Sequence, residues 1–485
     1  MKKTLSILLV LLMTLSLCAC VSEQKERAAA DVACVLQVGF GKAKIQPPDM
    51  NIRLTGGGDP NRFVTGVLDY MYLTCIAFTD VEGNTLLLYT VDMQNFANSW
   101  GKYAREFVSE RTGIPTTHIF FGCTHTHSVP ELCYDTEANR KFCQVFEEGL
   151  IKATDDALAD RADARIQIGT AEGVMEDGTK LAFVRHYIMN DGSVYGSNFG
   201  DASSGYSGEH PYDADVEAQL IKFVRPAEDK KDVLMVNWPC HATFNGTSTL
   251  TNLSADWPSS TRDYIDANSD CLTAIFLSGA GNQIPNSFDF NENHKLDYRE
   301  YGKVLGGIIV DALPNTKEIN DGAIEMVSVK YETESNHYTD TERLSLASEV
   351  YNYFLKNGQT EGTKYAKKNG FMSCYEARAY VWRSKLAETQ KITLTALRIG
   401  ELSLVVAPYE LFSTSAKEIK ARTPFEMTFI LGYTNSIAGY IPTAEGYEYN
   451  DGIGCYEAYS TSWPKGTAEV LTEEYLNLLA QLKGK

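Results

Sequence analysis

Two histidines one residue apart carry the clearest chemical signal in this chain. The stretch Phe120-Phe121-Gly122-Cys123-Thr124-His125-Thr126-His127-Ser128-Val129-Pro130 runs from apolar, strand-forming residues into hydroxyl-bearing ones, bracketed by Gly122 and Pro130. An extended backbone turns residues two apart to the same side. His125 and His127 are therefore expected to present two imidazoles to one place where a strand leaves the core. Imidazole suits zinc and related transition metals. Three more apolar runs end in polar clusters: 233–238 before His241, 271–277 before Asn282 and Gln283, and 402–407 before Glu410. Groups at several strand ends of an α/β protein can meet in one pocket. Histidines plus a carboxylate are a usual ligand set for catalytic zinc, which acidifies a water in its open position. Arg185 and Tyr440 could then stabilise an oxyanion. Taken singly, each residue has a plainer reading. A lone His-x-His hydrogen-bonds at a strand end, Glu410 favours a helix start, and Tyr440 packs in a Tyr-rich loop.

The elements that must position these groups follow from periodicity. Strand-like runs cover 35–45, 71–78, 85–91, 164–172, 218–224, 233–238, 271–277, 392–399, 402–407 and 425–432. Helical spacing covers 100–112, 142–158, 257–268, 298–313, 411–421 and 471–482. Strands and helices alternate with no composition break after residue 34. This predicts an α/β protein with mixed β-sheets covered by helices, built as a single large catalytic-type domain over 35–485. The charged, aromatic stretch 341–386 is mostly helical in pattern and reads as a helical insertion.

A chain of 485 residues that is 44% hydrophobic and 22% charged is globular. Its net charge of -19 argues against a nucleic-acid partner and against docking on anionic lipid by charge. Residues 1–20 have the form of a secretory signal, with Lys2 and Lys3 before an apolar run. The end of that run, Leu17-Cys18-Ala19-Cys20, resembles the lipobox of bacterial lipoproteins. The resemblance implies a lipidated Cys20, a tether over 21–34, and an extracytoplasmic body lipid-anchored to the bacterial cell membrane. No later run is apolar enough to span a bilayer. Beyond Cys20 the mature chain keeps nine cysteines, so full pairing within one chain is impossible. Cys123 and Cys240 flank the candidate histidines but are expected on the opposite face, in the core.

Several motifs in order resemble one family. The segment from Thr124 to Pro130 is similar to the Thr-His-Thr-His-Ser-Gly-Pro signature of neutral/alkaline non-lysosomal ceramidases and their bacterial relatives. Gly41-Lys42-Ala43-Lys44-Ile45-Gln46-Pro47-Pro48 resembles the family's opening segment, and Asn237-Trp238-Pro239-Cys240-His241-Ala242-Thr243 its second histidine segment. Pro408-Tyr409-Glu410-Leu411-Phe412 resembles its Pro-Gly-Glu segment. Gly439-Tyr440-Ile441-Pro442-Thr443 and Tyr456-Glu457-Ala458-Tyr459-Ser460-Thr461 resemble its closing segments. The resemblance spans nearly all of 35–464. It implies zinc ligated by His125, His241, Glu410 and Tyr440, with His127 beside the metal and Arg185 contacting substrate.

The chain also departs from the pattern. Where ceramidases carry Gly-Asp-Val-Ser-Pro-Asn, it reads Gly281-Asn282-Gln283-Ile284-Pro285-Asn286. Ile284 cannot serve as the family's serine, so ceramide specificity does not follow. With the last family-like segment ending near residue 464, the carboxy-terminal β-sandwich of true ceramidases is not expected here. The resemblance implies a zinc-dependent hydrolase cleaving an amide (N-acyl) bond of a small-molecule or lipid substrate. A non-catalytic surface binding lipoprotein on the same fold, or a zinc esterase or phosphodiesterase, are the alternatives.

Overall fold

Nine strands hydrogen-bond into one mixed sheet. The order is Cys271–Phe276, Asp232–Asn237, Glu217–Val224, Ala162–Glu172, Leu36–Lys44, Tyr72–Asp80, Thr85–Val91 and Ile119–Cys123, with Lys317–Ile319 alongside Ala162–Glu172. This computed structural model describes residues 36–56, 62–196, 205–246, 250–320 and 322–484. The expected signal, Cys20, the tether and Cys34 lie outside the described residues.

The outermost pair at each edge of the sheet is parallel, and the pairs between them are antiparallel. A parallel pair needs a crossover. Helix Asn98–Thr112 supplies one, between Thr85–Val91 and Ile119–Cys123, and helix Asp256–Asn268 supplies the other, between Asp232–Asn237 and Cys271–Phe276. The two ends of the sheet curl toward each other. Thr90 Oγ1 donates to the Ile275 carbonyl at 2.6 Å, and a side chain at Gly122 would meet the Phe276 ring at 3.3 Å. Two parallel pairs far apart in the strand order thus release their chains at neighbouring points.

One face of this sheet carries helices Asn98–Thr112, Glu137–Ala159, Asp256–Asn268 and Tyr298–Ala312. Gly39 and Gly41 let helix Glu137–Ala159 lie flush, because a Cβ at either would stand 2.0 Å from a helix carbonyl oxygen. The other face packs on a second sheet, ordered Ile324–Glu334, Thr389–Ile399, Leu402–Val406 and Met427–Leu431. Phe78, Ile166 and Phe223 of the first sheet share a core with Leu397, Leu404 and Phe429 of the second. Phe276 and Phe429 meet edge to face at 5.9 Å. Helices Ser413–Arg422 and Thr467–Lys483 cover the outer side of the second sheet. The layers therefore run helix, sheet, sheet, helix. Strands buried on both faces read as continuous apolar runs, as Ile119–Cys123 does, with every residue buried.

The stretch 341–386 contains helix Thr341–Lys368, kinked at Gly358 (φ 80°), and helix Cys374–Arg383. These two pack on a small apolar cluster of their own with Phe354, Phe371, Tyr380 and Tyr459. The Tyr-rich segment after residue 433 is more ordered than a loop, with helices Ala444–Gly452 and Tyr456–Tyr459. All eight described cysteines are free thiols, and Cys123 and Cys240 are buried as expected. Among the described residues no helix is long and apolar enough to cross a membrane.

Candidate metal centre

Strand Ile119–Cys123 stops where Asp92 intervenes. The Thr124 hydroxyl donates to Asp92 at 3.3 Å, and Arg262 grips the same carboxylate with two bonds at 3.2 and 2.9 Å. His125 then adopts φ 54°, a left-handed conformation costing a non-glycine residue about 1–2 kcal/mol. The expected extended alternation of His125 and His127 is thus incorrect: a left-handed turn, not a strand, brings the rings to 4.8 Å between centroids. His125 Nδ1 bonds to the Gln94 carbonyl at 2.7 Å, so the neutral ring leaves Nε2 without a proton. His241 is fixed in the same way by the carbonyls of Ala280 at 2.5 Å and Gln283 at 3.1 Å. Glu410 is held by a two-residue parallel ribbon, Glu410–Leu411 against Tyr440–Ile441, in which Glu410 pairs with Tyr440. The helix after it begins only at Ser413, so Glu410 is not a helix-start carboxylate.

These segments converge. His125 Nε2 lies 3.5 Å and His241 Nε2 3.3 Å from Glu410 Oε2. All three atoms are buried, and none has a hydrogen-bond partner. Leaving one buried polar atom unsatisfied costs about 1–3 kcal/mol, so three at one point mark a place built for something else. Donors about 2.0–2.1 Å from a tetrahedral metal stand roughly 3.4 Å apart, which is the spacing found. The backbone carbonyls behind both imidazoles fix their tautomers as second-layer partners of metal ligands do. The donor set and its spacing fit a divalent transition metal. Burial pushes His125 down to about 4 and His241 down to about 3, so both rings are neutral near pH 7. Burial also pushes Glu410 above the usual carboxylate range, against the pull of His125 and Arg185.

His127 is only partly buried. Its ligand atom joins those of His125 and His241 in a group spanning at most 4.8 Å. Its Nε2 has a single long contact, to Gln94 Nε2 at 3.4 Å. Gly56 (φ 74°) and Gly246 press on its other side, where a Cβ would stand 2.6 and 2.5 Å from the His127 Cβ. Buried Arg62 ties this loop down, donating to the carbonyls of His127 and Asn245, both at 2.6 Å, and to Ser128 Oγ at 2.8 Å. Arg185 follows the ribbon Ala182–Val184 with Gln283–Pro285 and is itself pinned by its N–H to the Asn282 carbonyl at 3.0 Å. Its guanidinium lies over the Tyr440 ring at 5.4 Å and donates to Glu457 at 2.7 Å.

The structure therefore brings His125, His127, Arg185, His241, Glu410 and Tyr440 to one site. Asn282 and Gln283 stand behind it as scaffold. Asn282 accepts from the Ser413 N–H at 2.9 Å and donates to Tyr212 Oη at 2.7 Å. Gln283 bonds both backbone groups of Asp215 and the Pro239 carbonyl. Ile284 turns into an apolar cluster with Phe183, Tyr187 and Met189. Sequence reading missed Gln94, Arg62, Glu457 and Tyr433, whose ring lies 4.0 Å from that of His125. Only Glu457 had a signal, its place in a quoted motif.

The mixed four-layer fold, with this site at the carboxyl ends of its parallel strand pairs, has solved counterparts. The chain has the neutral ceramidase fold. It superposes on neutral ceramidase from Pseudomonas aeruginosa with a TM-score of 0.69 and 16% identity, over 93% of this chain and 75% of that one. A ceramidase complexed with C2 gives 0.68 and 15%, over 93% and 76%. No family model and no curated protein sequence matches the chain.

Proposed function

We propose that this protein is a zinc-dependent hydrolase that cleaves an amide (N-acyl) bond in a small-molecule or lipid substrate. The observation that carries this reading is the convergence of three buried, unpartnered atoms: His125 Nε2, His241 Nε2 and Glu410 Oε2. These residues with Tyr440 would hold the metal. Zinc bound there acidifies water and polarises a carbonyl. The rest falls to the chain's own groups. His127 Nε2, neutral and with one weak contact, accepts a proton and returns it to the leaving nitrogen. Arg185 and the Tyr440 hydroxyl donate to the developing oxyanion. Burial of the walls around them keeps bulk water out and strengthens those contacts.

The proposal keeps 1–20 as a signal, Cys20 as a lipid anchor after a tether over 21–34, and an extracytoplasmic setting. The helices of 341–386 are proposed as an insertion in a domain over 35–485. The test joins metal content to a panel of N-acyl amides and matching esters. About one zinc per chain is expected, lost in His241→Ala and Glu410→Ala, with amide turnover abolished in both and strongly reduced in His127→Ala. Zinc binding without turnover on any amide or ester would favour a binding protein. Turnover of esters alone would make it a zinc esterase.

A further inference from the structure

Glu457 is wholly buried, and its two oxygens hold two consecutive residues. One accepts from Arg185 at 2.7 Å, the other bonds His186 Nε2 at 2.8 Å. Arg185 follows the ribbon strand Ala182–Val184 and Glu457 lies in helix Tyr456–Tyr459, so two separate elements bring them together. Both charges reach the candidate ligands, with opposite sign. Arg185 disfavours protonation of His125, His241 and Glu410, while Glu457 favours it at His241 and Glu410. An arginine this close to a metal site poses two threats. It repels the cation directly, and its guanidinium is the natural partner of the very carboxylate the metal needs. Glu457 counters both by occupying the Arg185 guanidinium at 2.7 Å. A second cation at the neighbouring group His186, Cys455 and Glu457 is opposed by the same geometry, since Arg185 already fills the carboxylate.

We infer that Glu457 is a positioning residue that holds Arg185 away from Glu410 and so sets the affinity of the centre for its metal. This inference rests on the metal reading above. Without Glu457, Arg185 is an uncompensated buried charge, left with the Gly281 carbonyl at 2.9 Å and within electrostatic reach of the Glu410 carboxylate.

The test is zinc affinity of the full chain, measured by competition with a chromophoric chelator, with no substrate present. Glu457→Gln keeps shape and removes charge. It is expected to weaken zinc binding about 10- to 100-fold, the range typical of outer-layer partners. Arg185→Met combined with Glu457→Gln is expected to recover wild-type affinity to within about threefold, because no arginine remains to compete. If Glu457→Gln binds as wild type, or the double variant stays as weak as Glu457→Gln, the inference falls. If Glu457→Gln does not fold, Arg185→Met and the double variant must bind zinc alike, and a tenfold gap between them overturns it. A wild-type protein that binds no zinc overturns the metal reading itself. A wild type that binds zinc, with variants that disobey the pattern, sinks only the role of Glu457.

Discussion

Glu410 and Tyr440 face each other across a two-residue parallel ladder, locked by the bond from the Glu410 N–H to the Gly439 carbonyl at 2.9 Å. The ladder fixes both backbones regardless of what the side chains hold. The Tyr440 hydroxyl helps keep Glu410 ionised. Tyr440→Phe should leave the metal-free protein as stable as wild type but weaken zinc binding about tenfold. Chelator competition decides it: unchanged affinity would mean that the hydroxyl serves neither the metal nor its carboxylate.

Gly246 presses on His127. A methyl at Gly246 would stand 2.5 Å from the His127 Cβ. Gly246→Ala should push His127 off its position at a stability cost of about 1–3 kcal/mol, with zinc stoichiometry unchanged. Amide turnover should fall about 10²-fold or more if His127 moves the proton. Loss of zinc in this variant would instead make His127 a ligand.

Acid should strip the centre late. Burial holds His125 near about 4 and His241 near about 3, below the ordinary histidine value of about 6.5. The folded, metal-free protein binds fewer protons than the unfolded chain between those values. Its histidine-linked stability is complete above about 6.5 and is lost as pH falls through about 4. Zinc should stay bound down to about pH 5. A release midpoint near 6.5, followed by metal content across a pH series, would show that the rings are solvated.

Asp256 works in the opposite direction. Its carboxyl is buried at φ 61°, bonded to the Asn245 N–H at 2.8 Å and to the Trp257 N–H at 2.8 Å, and burial pushes it up to about 7. A raised folded value means that stability is greatest at low pH and falls as pH rises from about 4 to about 7. Asparagine tolerates the left-handed backbone and never ionises. Denaturant unfolding should show Asp256→Asn gaining about 2–4 kcal/mol on wild type between pH 4.5 and pH 8. Parallel pH curves would show that Asp256 stays ionised throughout.

Much of the scaffold was legible in the sequence, because strands buried on both faces and helices with one apolar face leave strong local patterns. The hairpin expected around residues 80–84 joins Tyr72–Asp80 to Thr85–Val91, and the strand before His241 ends at Asn237. The stacking of two sheets left no such mark, since a strand covered by a sheet and one covered by a helix read alike. Glu410 was legible as a polar residue after an apolar run and Tyr440 as a candidate donor, and the order of the motifs joined them; their pairing, a contact between segments about 30 residues apart, left no local mark. The turn at His125 was hidden because nothing in Thr-His-Thr-His announces a left-handed residue. Gln94 and Arg62 contribute a carbonyl and a set of backbone bonds, roles that side-chain type does not signal.

The curl that puts the Thr90 hydroxyl on the Ile275 carbonyl also governs when the site can exist. His125 leaves one edge of the nine-stranded sheet and His241 leaves the strand next to the other edge. No single hairpin or helix pair contains both. Contacts between such distant segments form late and slowly, so the two imidazoles meet only once the whole sheet has closed. Metal uptake during refolding would therefore time the last event in the assembly of this chain, and a protein with a torn sheet edge would keep most of its helices and lose the candidate metal centre.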